Sequence, residues 1–167
     1  EGELRIAAPA FAGYLGGSPP GPELATGDLG RIDADGFVYV EGRAKNLLIT
    51  SLGRNVSPEW VEGELLRHPV IGQACVAGDD RPYLTALVVP RHAAIGDADL
   101  DAAVAAANAA LPAYARVQRH AIVREPFSAA AGFLTANGRL RRDRILARYR
   151  AVIDDLYLAP AGAASGT

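Results

Sequence analysis

The chain has 167 residues, half of them apolar and 22% charged, enough to bury a sizeable core and unlike a disordered chain. Lysine and arginine together count 17 against 19 acidic residues, so no basic excess points to nucleic acid and no acidic tail is present. The single cysteine excludes a disulfide framework within the chain and a cysteine-based metal site, and no apolar run approaches the ~18 residues of a membrane span. Methionine is absent and the chain opens Glu1-Gly2-Glu3-Leu4, which reads as the interior of a longer protein. Lys45 is the one lysine among 17 basic residues in an alanine-rich chain, a pattern expected of GC-rich coding.

The elements follow in order. Residues 3–8 read as a short strand, and the Gly/Pro-rich stretch 13–22 as a loop. Residues 30–33 and 37–41 are β-prone, and Ala34-Asp35-Gly36 between them supplies turn chemistry, so a hairpin is expected. Residues 47–50 form an apolar strand, and 51–56 a loop holding Gly53. Ser57-Pro58-Glu59 opens a helix, with Ser57 as N-cap, Pro58 in the first turn and Glu59 at the positive end of the dipole. Trp60, Val61, Leu65 and Leu66 give that helix an apolar side as far as about His68, and Pro69 stops it.

Strands are expected over 73–77 and 85–89, the second ended by Pro90, then a helix over 98–111 closed by Pro112. A strand over 117–124 and a small-residue loop over 127–138 come next. A last helix, 140–158, turns Leu140, Ile145, Leu146, Tyr149, Val152, Ile153 and Leu156 inward, and the Ala/Gly/Ser tail from Ala159 is expected to fray. The fold class is α+β: a hairpin unit ending near Arg43, then a compact β-α-β-β-α-β-α module.

Three groups of residues could carry chemistry. In Thr26-Gly27-Asp28 with Arg43, the glycine lets backbone approach a ligand, the carboxylate can accept ribose hydroxyls, and the arginine can donate to sugar or phosphate. A plain turn aspartate and a surface arginine are the blander reading. Ser51-Leu52-Gly53-Arg54-Asn55 is a glycine loop before a helix, suited to a phosphate or a slender chain, or simply a connection. Thr135-Ala136-Asn137-Gly138-Arg139 with Leu140, Arg141 and Arg142 is an exposed basic tip able to bring a cation to developing negative charge, or a solvated helix start. His68, His92 and His120 share no ligand spacing, so zinc is not expected. Cys75 lies in an apolar strand and reads as core, as do Tyr149 and Tyr157.

Taken together, Thr26-Gly27-Asp28-Leu29-Gly30, Asp35-Gly36-Phe37, Gly42-Arg43-x-Lys45-Asn46, Gly53-Arg54-Asn55-Val56-x-Pro58-x-x-Val61-Glu62, Leu111-Pro112-x-Tyr114 and Gly138-Arg139-Leu140 resemble the back third of the adenylate-forming enzymes. The stretches around Gly53 and Cys75 look most like long-chain fatty-acid CoA ligases. The resemblance implies a two-step ligase. A fatty acid and ATP, with magnesium, give an acyl-adenylate and pyrophosphate, and coenzyme A then takes the acyl group and leaves AMP. It implies that Asp28 and Arg43 hold the ribose, that Lys45 is the hinge, that Gly53 and Arg54 border the coenzyme A channel, and that Arg139 stands where the family has a catalytic lysine. It divides the chain into 1–43, the end of a large N-terminal domain, 44–150, a mobile lid with a small three-stranded mixed sheet, flanking helices and an additional hairpin, and 151–167, the end of the last helix and a tail.

The triphosphate loop and acyl pocket of the family belong to that large domain and have no counterpart here, so the chain alone is expected to be inactive, with no nucleotide or coenzyme A tightly bound. A cytoplasmic location follows, with peripheral contact to the inner membrane in the intact enzyme. A lid-like module acting in trans on an adenylating partner, and a degenerate family member, are the alternatives. Arginine at 139 departs from the family pattern, because a planar fork replaces a compact ammonium.

Overall fold

The computed structural model describes residues 2–7, 15–16 and 21–158, and the chain divides into two compact units between Leu47 and Leu48. The loop expected over 13–22 falls mostly outside the described residues, as does the tail from Ala159.

The first unit is an antiparallel sheet in sequence order: β1 (Gly2–Ile6), β2 (Leu24–Ile32) and β3 (Val38–Arg43). The expected hairpin is β2–β3. Asp33 builds its turn, its Oδ1 accepting the N–H groups of Asp35 at 3.0 Å and Phe37 at 2.9 Å. Those backbone donors hold the Asp33 carboxyl below the ordinary aspartate pKa. β2 begins six residues before the expected Gly30, because its early part pairs with β1 (Arg5 opposite Ala25, Ile6 opposite Leu24). A partner strand brought from elsewhere in the chain outweighs the poor β propensity of Gly27-Asp28. The pairing is irregular there. Glu3 faces Leu29 and Arg5 faces Ala25, so β2 bulges, with Gly27 at its apex at φ +73°. Gly30 is required by close approach: a Cβ there would lie 2.3 Å from the Tyr39 carbonyl oxygen.

The second unit is built on a mixed sheet. β6 (Ile71–Ala77) runs antiparallel to β7 (Leu84–Pro90), and β8 (Val117–Ile122) runs parallel to β7 after the crossover helix α2 (Asp97–Ala110). A two-residue ladder, β4 (Leu48–Ile49) with β5 (Asn55–Val56), precedes helix α1 (Pro58–Leu66), capped by Ser57, whose oxygen accepts the Trp60 N–H at 3.4 Å. β7 is the middle strand and buried throughout, which is why its sequence is a continuous apolar run.

Alternation along β6 and β7 feeds two cores. Ala74, Val76, Ala86 and Val88 join Val61 and Leu65 of α1 and Leu100 and Val104 of α2. Cys75, Ala77, Leu87 and Val89 join Phe127, Ile145 and Ile153 on the other face. Leu66 and Val152, expected inward, are exposed, since the apolar stripe each helix buries is narrower than the sequence implied.

The expected helix over 140–158 is two helices, α3 (Arg142–Arg148) and α4 (Arg150–Leu158). The break is at Tyr149, whose backbone leaves the helical region at φ −103°, ψ 19°. Its ring packs against Phe127 and Phe133 with centroids 6.1 and 6.3 Å away, and this aromatic cluster sets its position. Among the described residues no helix is long and apolar enough to cross a membrane.

Candidate functional site

The residues singled out in the sequence fall on both units. In the first unit the bulge of β2 delivers Asp28 opposite Arg43 of β3. Arg43 Nε donates to Asp28 Oδ1 at 2.8 Å, and its Nη1 to the Thr26 carbonyl at 3.2 Å. Thr26 braces the bulge by donating its hydroxyl to the Leu4 carbonyl at 2.7 Å and accepting the Asp28 N–H at 3.0 Å. The Asp28 side chain is 28% exposed and that of Arg43 52%, so the ion pair itself contributes at most about 1 kcal/mol. One carboxylate oxygen is held by Arg43, and the other can accept a sugar hydroxyl. Asp28 therefore sits within a strand and not, as expected, before one.

Lys45 lies in a short 3-10 turn, Ala44–Asn46, just before the division of the chain. It is exposed, and among the described residues its ammonium has no hydrogen-bonding or ionic partner.

In the second unit, Gly53-Arg54 and Gly138-Arg139 occupy the same kind of turn. Gly53 N–H donates to Thr50 O at 2.8 Å, Thr50 N–H to Arg54 O at 3.0 Å, and Arg54 N–H to Thr50 Oγ1 at 3.1 Å. Gly138 N–H donates to Thr135 O at 2.9 Å, Thr135 N–H to Arg139 O at 2.8 Å, and Arg139 N–H to Thr135 Oγ1 at 3.1 Å. Both glycines are left-handed, at φ +73° and +75°. The sequence carries the signal twice as T-x-x-G-R, and Asp33 to Phe37 repeats the turn with aspartate for threonine and phenylalanine for arginine. This is the three-residue hairpin loop closed by a left-handed glycine, and sequence reading missed its repetition.

The two arginines end differently. Arg54 lies over the Tyr114 ring, 5.8 Å from its centroid. Arg139 is exposed, and among the described residues no carboxylate pairs with it.

Arg142 overturns the picture of a uniformly exposed basic tip. It turns inward and forks onto Glu62 of α1, Nη1 to Oε1 at 2.6 Å and Nη2 to Oε2 at 2.9 Å. Glu62 Oε1 also accepts the Val76 N–H at 2.7 Å, and Arg142 Nη1 donates to the Val76 carbonyl at 3.0 Å. The Glu62 and Arg142 side chains are only 8% and 18% exposed. Burial pushes the Glu62 carboxyl up, against the hydrogen bonds and charge of Arg142. Burial also opposes the Arg142 charge, but the hydrogen bonds and charge of Glu62 outweigh it and keep the guanidinium protonated. Removing one partner of such a pair strands a buried charge and costs about 3–5 kcal/mol. No single-residue signal marks the pair, since Glu62 reads as an ordinary helix carboxylate. Cys75, beside Arg142 and fully buried, has its thiol pushed up to about 12 by burial, as befits a core residue and not a nucleophile.

Residues 45–160 match the AMP-binding enzyme C-terminal domain, well over half of the chain. The chain belongs to that family. As an AMP-binding enzyme C-terminal domain it is 30% identical, over 187 aligned positions, to the long-chain-fatty-acid–CoA ligase FadD15 of Mycobacterium tuberculosis, covering 94% of this chain and 31% of the relative. It is 31% identical to the long-chain-fatty-acid–CoA ligase ACSBG1 of Mus musculus, over 80% of this chain and 24% of the relative. The chain thus spans under a third of the length of these curated relatives.

Among solved structures, this domain resembles the A domain of the carboxylic acid reductase of Segniliparus rugosus, determined with AMP and a co-purified carboxylic acid: TM-score 0.71, 28% identity, 81% of this chain and 23% of that one. It also resembles the anthranilate CoA ligase AuaEII with anthranoyl-AMP, with TM-score 0.63, 26% identity, and coverage of 80% of this chain and 26% of that one. The α+β architecture with its mixed three-stranded sheet is the one the resemblance implied.

Proposed function

We propose that this chain is the C-terminal part of a cytoplasmic acyl-CoA synthetase, which joins a fatty acid to coenzyme A through an acyl-adenylate at the expense of ATP. The observation that carries the reading is the 30% identity over 94% of the chain to a long-chain-fatty-acid–CoA ligase. The site residues support it.

Asp28, oriented by Arg43, offers a carboxylate oxygen to the ribose hydroxyls of ATP and then of the adenylate, and the guanidinium adds positive charge beside the sugar. The bulge at Gly27 keeps the approach clear, since a Cβ there would meet only Arg43 Nη1, at 3.6 Å. Lys45 is the pivot about which residues 44–150 turn as a lid between the half-reactions, and residues 1–43 close the large domain. Gly53 and Arg54 border the path of the pantetheine arm, and the open space around the Gly53 Cα suits a slender chain. Arg139 brings its charge to the α-phosphate and carboxylate oxygens, where negative charge concentrates as the acyl-adenylate forms and pyrophosphate, with its magnesium, leaves.

The test is fatty-acid-dependent exchange of labelled pyrophosphate into ATP by the full-length protein, followed by coenzyme A-dependent thioester release, over a series of chain lengths. Asp28→Ala is expected to raise the KM for ATP about tenfold, the worth of one charge-assisted hydrogen bond, and to leave the fatty-acid KM unchanged. The 167-residue chain alone should give no exchange. A full-length protein that exchanges with no fatty acid of the series would refute the reading.

A further inference from the structure

β6 is an edge strand, and both backbone polar groups of Val76 on it are taken by side chains, the N–H by Glu62 and the carbonyl by Arg142. Arg142 is the first residue of α3, three positions after Arg139. That helix has seven residues and no side-chain N-cap, too short to hold its own start. Its first residue is instead held by four acceptors: both Glu62 oxygens, the Val76 carbonyl and the Cys75 sulfur, the last at 3.7 Å.

The limb entering the 135–139 turn is anchored on the same strand. Gln73 accepts the Phe127 N–H at 2.7 Å and donates to the Phe127 carbonyl at 2.9 Å, and Phe133 and Leu134 pack on the second core. Between the anchors, Leu134 bridges Leu140, and Arg141 N–H donates to Phe133 O at 2.7 Å.

We propose that the Glu62–Arg142 pair is the positioning element of the Arg139 turn: it ties the outgoing limb to the edge of β6, as Gln73 ties the incoming one, and so fixes where Arg139 is presented. An apolar pair of similar volume would serve the core as well. It would not set a direction, whereas a guanidinium forked onto a carboxylate and a strand carbonyl has one seat. The link to catalysis rests on Arg139 being the adenylation cation. The anchoring itself does not.

Two measurements test the proposal and keep it separate from that reading. The first is amide hydrogen exchange on the 167-residue chain as wild type, Glu62→Gln and the double variant Glu62→Gln/Arg142→Met. The double variant leaves no unpaired buried charge and keeps an acceptor for Val76 N–H, so it remains folded where the single variant is strained. The bonded amides of Thr135, Gly138, Arg139 and Arg141 are expected to exchange about tenfold faster or more, while those of β7 keep their protection. Unchanged turn amides in the folded double variant, or a rise shared equally with β7, would overturn the proposal.

The second uses the same variants in the full-length protein. Acyl-adenylate formation is expected to fall in kcat with the KM values for ATP and fatty acid held, and thioester formation from supplied adenylate to persist. Equal loss in both half-reactions would make the pair a stability element and overturn the proposal. A loosened turn with undiminished adenylation would leave the anchoring supported and refute the role of Arg139.

Discussion

Replacing Arg139 by alanine removes one cation from a turn whose backbone is already fixed. The Thr135 N–H, Gly138 N–H and Arg139 N–H bonds, between 2.8 and 3.1 Å, hold the Cα of Arg139. A preorganised donor aimed at developing charge is worth roughly 3–4 kcal/mol. The Arg139 side chain is exposed and, among the described residues, unpaired, so its rotamers must be ordered at the moment of use, at a cost of up to about 2 kcal/mol. The difference, about 2 kcal/mol, is roughly a thirtyfold loss in acyl-adenylate formation. The assay is single-turnover pyrophosphate release by the full-length protein with ATP and fatty acid, beside thioester formation from supplied adenylate, which should be nearly unchanged. Arg139→Lys decides whether the site suits the fork or the ammonium, because lysine raises the rate in the one case and lowers it in the other. If Arg139→Ala left adenylation untouched, the reasoning would fail. Arg142 could not stand in, since its guanidinium is committed to Glu62.

Lys45→Pro should separate the half-reactions, since proline fixes φ and disfavours the 3-10 conformation of Ala44 before it. Pyrophosphate exchange and thioester formation lost in equal proportion would make Lys45 a stability residue. Cys75 predicts a pH dependence: its buried thiol holds its proton to about 12 against 9.0 for an exposed one, so the unfolded chain deprotonates first. That contribution to stability is whole below pH 9 and is lost as pH rises toward 12, by up to ~4 kcal/mol at about 1.4 kcal/mol per pH unit. Urea unfolding between pH 8 and 11 should show this decline in wild type and a shallower one in Cys75→Ala; identical slopes would contradict it.

The elements read well where local pattern and tertiary context agree. The cap Ser57-Pro58, the hairpin around Gly36 and the apolar runs of β6 and β7 were legible because each carries its own turn or period signal. The errors lie where a distant partner decided. β2 extends back to Leu24 because β1 pairs with it, and the last helix breaks at Tyr149 because Phe127 and Phe133 fix the ring. The site divides the same way. Residue types and spacing picked out Asp28 with Arg43 and the basic tip over 135–142, while Arg139 was singled out within that tip by the family resemblance alone. The T-x-x-G-R repeat, which shows that Arg54 and Arg139 share a turn, was present in the sequence and unread.

By itself the sequence determined the chemistry available: which strands carry apolar faces, where turns fall, and which cations and carboxylates could meet a nucleotide. Only the tertiary structure decided which charges remain available. Arg139, Arg141 and Arg142 are near-neighbours of one type, and nothing local distinguishes them. The fold brings Glu62 from 80 positions away onto Arg142 and leaves Arg139 exposed. Desolvation and pairing depend on what approaches through space, and a strand edge that needs its N–H and carbonyl satisfied recruits partners without regard to distance along the chain.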